Sequence, residues 1–114
     1  MKTVSSTSPL HLAAVKLAEI IEEENEALRH HEVISHAVFA NRKNHALREL
    51  MSAQRFATAP SAVRAHGPLL QRLATALRVN AHLLKLHIKA VGEISDIIVS
   101  SLREAESDGT YSRR

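Results

Sequence analysis

The sequence predicts an all-α protein: an antiparallel three-helix bundle with coiled-coil-like packing and a long C-terminal helix. Three observations point that way. Alanine and leucine dominate an apolar content of 45%, and both are strong helix formers. Aromatic residues make up only 3% of the chain, whereas sheets draw on aromatic and β-branched side chains. Apolar residues recur at three- and four-residue steps along long stretches, the period of a helix face.

A chain of 114 residues supports one domain with one core. The expected layout is a loose N-terminal segment at 1–8, a helical domain at 9–106 and a flexible tail at 107–114. Helices are placed at about 9–30, 33–56 and 68–106. The first begins at Ser8-Pro9. Serine is a favoured N-cap, and proline at the first helical position gives up an N–H that has no partner there. Leu10, Ala13, Ala14, Leu17, Ile20, Ile21, Ala27 and Leu28 then share one helix face. The run Glu22-Glu23-Glu24-Asn25-Glu26 interrupts that face and reads as a solvated turn, because glutamate is mostly exposed. No Pro or Gly stands near His30-His31, so the sequence leaves open whether helices 1 and 2 are continuous.

The second helix is assigned an inner face of Ala37, Val38, Ala40, Leu47, Leu50 and Met51. It stops ahead of Pro60, since the residue before proline avoids the helical region. Gly67-Pro68 is a second breaker, so residues 57–68 form the connection. Beyond Pro68 only Gly92 interrupts the third helix before Glu106, giving it roughly 60 Å of length. Leu70, Leu77, Leu84, Val91, Ile98 and Ala105 recur at seven-residue steps. Leu73, Asn80, His87, Ile94 and Ser101 form the companion line. This is a coiled-coil-like seam with polar interruptions. Asn80 reads as a register-setting residue, with contact to a partner as the other reading.

The lengths carry a consequence. Helices of about 20–24 residues span about 30–36 Å and cover little more than half of the third. The expectation is an unburied apolar face in its C-terminal third, at Val91, Ile94, Ile97, Ile98, Val99 and Leu102. Such a contiguous face suits a partner helix or a second copy of the chain.

Composition narrows the function. There is no cysteine, which excludes disulfides, thiolate chemistry and Cys-based zinc sites. His11 and Lys16 break the N-terminal apolar stretch before a signal-peptide core forms. No run approaches the ~20 apolar residues that span a bilayer. The chain therefore reads as cytoplasmic, without membrane insertion. Its formal charge of +3 hides an asymmetry. Residues 1–34 carry three Lys or Arg against six Glu, a balance of −3; residues 35–92 carry nine against Glu49 alone, a balance of +8. An acidic first helix beside two basic ones would satisfy both.

No catalytic pattern emerges. None of the eight histidines lies three or four residues from another. Glu26/His30 and Glu32/His36 are four apart, but neither repeats the pattern of a di-metal bundle. The reading is no metal, no cofactor and no enzyme, with neither a nucleophile elbow nor a phosphate-cradling loop. The basic residues from Arg42 to Lys89 could neutralise phosphates. They lack aromatic platforms and helix-turn-helix spacing, so nucleic acid is the less favoured partner.

Three stretches taken together resemble the FlgN-type flagellar export chaperones. They are EENEALRHHEV at 23–33, NRKNHALREL at 41–50 and NAHLLKLHIKAVGEISDIIVSSLREAESDGTYS at 80–112. The positions that carry the resemblance are Glu24, Asn25, Leu28, Lys43, Leu47, Leu50, Asn80, Leu84 and Tyr111. The resemblance implies a cytosolic, non-enzymatic chaperone of flagellar type III secretion. It would bind hook-filament junction proteins and deliver them to the export gate. Cargo contact is implied on the C-terminal helix at Val91, Ile94, Ile98 and Leu102. Tyr111 is implied as a candidate docking residue for the export-gate component; its alternative is an exposed residue in a frayed end. The chain is shorter than the larger family members. The rival readings are a homodimeric structural coiled coil through the same face and a basic nucleic-acid-binding bundle.

Overall fold

The structure, a computed structural model, describes residues 8–55 and 66–112, with side chains described up to Ser107. The expected loose segment at 1–7 and most of the connection at 57–65 lie outside the described residues. Three helices follow in order: α1 (Pro9–Arg29), α2 (His36–Gln54) and α3 (Gly67–Ser112). The described residues contain no strand. The chain divides into two units, Met1–Leu83 and Leu84–Arg114. The first holds α1, α2 and the opening turns of α3. The second holds the rest of α3.

Helix α1 starts as its sequence dictates. The Ser8 side chain accepts the His11 N–H at 3.1 Å, satisfying one of the donors that a helix start leaves free. All eight residues of the expected inner face are buried, and Ala18 joins them. The helix ends without glycine. The His31 N–H donates to the Leu28 carbonyl and the Glu32 N–H to the Ala27 carbonyl, at 3.2 and 3.0 Å. With His30 as C-cap, these are the two bonds of a Schellman motif. His31 occupies its left-handed position at φ 55°, the place usually taken by glycine. This is why no breaker residue marks the stop in the sequence.

Helix α2 runs antiparallel to α1 in the first unit: Lys16 meets Glu49, while Glu23 meets Arg42. It opens at Ser35, whose hydroxyl accepts the Val38 N–H at 3.3 Å, three residues later than expected. Ile34 and Phe39 stand at the N′ and N4 positions of a hydrophobic staple, and Ile34 packs against the cluster that contains Phe39. The assigned inner face of α2 needs correction. Ala37, Val38, Ala40, Leu47 and Met51 are exposed; Phe39, Ala46 and Ala53 are buried, with Leu50 half-buried. The inward line is Phe39, Lys43, Ala46, Leu50, Ala53, at steps of four, three, four and three. Reading by hydrophobicity alone skipped Lys43, and the assigned face came out on the wrong side.

The main core joins Leu17, Ile20 and Ile21 of α1 to Phe39 and Ala46 of α2 and Leu73 and Ala76 of α3. A smaller cluster of Leu10, Ala13 and Ala53 closes the other end. Within the first unit the inward side chains of α3 are Leu73, Ala76 and Asn80. Leu77, placed in the seam by its seven-residue spacing, is exposed; Leu70 and Leu84 are half-buried. Helix α3 also runs through Gly109 to Ser112 rather than stopping near Glu106. Glycine lowers helix propensity by about 1 kcal/mol, which a long helix can absorb.

The left-handed histidine gives the first prediction. His31→Gly should raise the stability of the chain by up to about 1 kcal/mol in urea unfolding, because glycine adopts positive φ without steric cost. His31→Val should lower it.

Candidate functional site

Three consecutive glutamates of α1 organise the polar side of the first unit. Successive helical residues point 100° apart, so Glu22, Glu23 and Glu24 reach different neighbours. Glu22 takes a two-point contact from Arg72 of α3, at 2.9 and 2.6 Å. Glu23 takes one from Arg42 of α2, at 2.9 and 3.0 Å, and Arg42 also lies over the Phe39 ring at 5.2 Å. Glu24 turns inward. Its Oε1 receives Lys43 Nζ at 2.7 Å and Asn80 Nδ2 at 2.9 Å. The charge asymmetry of the sequence is thus resolved inside the chain.

Glu24 is 1% exposed and Asn25 3%, so the reading of residues 22–26 as a solvated turn is corrected at both positions. The network continues through Asn80, which donates to Asn25 Oδ1 at 2.9 Å and accepts from Lys43 Nζ at 3.2 Å. Asn25 donates to the Ala76 carbonyl at 3.1 Å. Four polar side chains from three helices therefore satisfy one another, and no described buried side-chain N or O lacks a partner. Asn80 makes its contacts within the chain. They fix the level at which α3 sits against α1 and α2. A carboxylate, an ammonium and two amides could be read as catalytic parts. Here each polar group is engaged by another, which is the arrangement of a structural tie.

The exposed pairs shift titration in one direction. The hydrogen bond from Arg72 holds the Glu22 carboxyl below its usual range, with partial burial opposing it. The bond from Arg42 does the same for Glu23. The arginines rise correspondingly through the same bonds. The open groove between α1 and the first part of α3 is lined by Glu22, Asn25, Arg29, Arg72 and Thr75. Its Glu22 and Arg72 are already paired. Among the described residues no three His, Asp or Glu come together as a metal site. His30 lies 2.6 Å from Glu26 Oε1, and this pair stands alone.

The four residues assigned to cargo contact lie in the second unit on α3. Val91 is 48% exposed, Ile94 55%, Ile98 53% and Leu102 61%, values far above those of a core. Ile88, Ile97 and Val99 are exposed beside them. Every described residue from 85 to 107 is exposed, His87 of the seam included. At 1.5–3 kcal/mol for each fully buried aliphatic side chain, covering the open half of these seven would yield roughly 5–10 kcal/mol before ordering costs. Tyr111 lies in the last turn of α3, with its side chain outside the described set. No described helix is long and apolar enough to cross a membrane.

No protein-family model, curated protein or solved structure matches the chain. The site rests on its own geometry.

Two predictions follow from the polar groups. Lys43→Met should destabilise the chain by about 3 kcal/mol, the lower end of the range for orphaning a buried charge, because Lys43 is 22% exposed. Glu24→Gln in the Lys43→Met background should recover part of the loss, both measured by urea unfolding. The second concerns acid. Glu22 and Glu23 have folded pKa values below their unfolded ones, so their contribution is complete above the unfolded carboxylate range. It is lost as pH falls through the folded values. The Tm should decline below about pH 4, and Glu22→Gln/Glu23→Gln should flatten that decline.

Proposed function

We propose that this chain is a binding chaperone of the FlgN type, holding hook-filament junction proteins for flagellar export. The observation that carries this reading is the exposed apolar face Val91, Ile94, Ile98, Leu102 on α3. A contiguous face of this kind marks an interaction site, and an amphipathic helix is the partner shape that fits a helical face. Binding acts by mass action: occupation of the cargo's helix lowers the population free to self-associate. The resemblance at Glu24, Asn25, Lys43 and Asn80 supports the same reading, since those residues build the tie that holds the first unit together. Tyr111, near the end of the same helix, is the proposed contact for the export gate.

A second reading, a structural homodimer through this face, draws on the heptad spacing of Leu84, Val91, Ile98 and Ala105. The nucleic-acid reading loses ground, because Arg42, Lys43 and Arg72 are engaged by glutamates.

Ile98→Asp should abolish cargo binding in calorimetry while leaving the helical circular dichroism intact. Full affinity in that variant would refute the site. Sedimentation of the free chain separates the second reading, which requires a tight dimer that the same substitution dissolves.

A further inference from the structure

We infer that the docking face on α3 takes two side-by-side apolar helices of a cargo protein, a helical hairpin, rather than a single helix. This rests on the chaperone reading and specifies the partner. The argument comes from the width of the face. At 100° per residue, Lys89, Glu93 and Asp96 all fall within a sector of about 60°. From Ile97 on one edge, across Ile94, Ile98 and Val91, to Val99 on the other, about 200° of helix surface carries no charge.

A single partner helix covers much less. A two-stranded seam uses two positions in seven, and a bundle helix packed against several neighbours uses three or more. One partner seated on Val91, Ile94 and Ile98 would leave Ile97 and Val99 in water. Both edges are now open, at 65% and 44% exposure.

The protein contains its own reference for a two-helix clasp. In the first unit, α3 is held by α1 and α2 together, and its buried and half-buried positions run from Leu83 through Asn80 and Leu73 to Leu70. That arc is about 140° at the same 100° per residue. The uncharged face of the second unit is at least as wide. A surface that broad calls for the same packing, with a cargo hairpin in the place that α1 and α2 take in the first unit. A second copy of the chain offering one α3 would cover the centre alone.

The test is photo-crosslinking of the full chain bound to a purified hook-filament junction protein. A benzophenone amino acid is placed singly at Ile97, Ile98 and Val99, with retained helical circular dichroism as the control for folding. The expected result is an adduct at each position, with those from 97 and 99 mapping to two different helical segments of the cargo. Adducts from 97 and 99 on one segment, or at 98 alone, overturn the two-helix inference and leave the chaperone reading standing. No cargo adduct at any of the three overturns both. Adducts only with a second copy of the chain do the same and favour the homodimer.

Discussion

The Glu24 carboxylate, held by Lys43 and Asn80, is the contact on which the arrangement of the first unit depends. A buried charge is tolerated only where its partners are in place. Here they come from two other helices, so each helix is needed to satisfy the first. Apolar packing through Leu17, Ile21, Phe39, Ala46 and Leu73 supplies most of the driving force but little discrimination between registers. A shift of α3 by one turn would keep much of the apolar contact while stranding Asn80 and Glu24. The outer pairs Glu22–Arg72 and Glu23–Arg42 add orientation, although exposed ion pairs add little stability.

Asn80 is also the last buried residue of α3. Leu83 and Leu84 are half-buried, and from Lys85 to Ser107 every residue is exposed. The mismatch of lengths is the reason. Helices of 21 and 19 residues face one of 46, so roughly 30 Å of helix accompanies about 69 Å. The polar tie decides which turns of α3 are sheltered, and the turns left over carry Val91, Ile94, Ile97 and Ile98. The functional proposal thus follows from register and length, with no chemistry beyond burial.

Much of this was legible in the sequence. Ser8-Pro9 announced α1, its apolar face was read residue by residue, and helix lengths alone predicted open apolar surface near Ile94 and Ile98. Other features were hidden for identifiable reasons. Lys43, Glu24 and Asn25 occupy core-facing positions with polar side chains, so a pattern built on hydrophobicity read through them. The face of α2 was misplaced and the acidic run was taken for solvated. The opposite charges of the first two helices were the available clue to Glu24 and Lys43. The end of α1 was obscured because a histidine holds the left-handed position. Leu77 shows the limit of strict heptad counting, since α3 packs in the first unit on the side of Leu73, Ala76 and Asn80.

Amide hydrogen exchange of the isolated chain tests the central claim most directly. Protection should be strong from about residue 69 to 83, where α1 and α2 shelter the helix, and should fall steeply across 88–106, whose stability there is only that of a lone helix. Equal protection along the whole of α3 in the free, monomeric chain would show that the outer face is already covered, and would contradict the account.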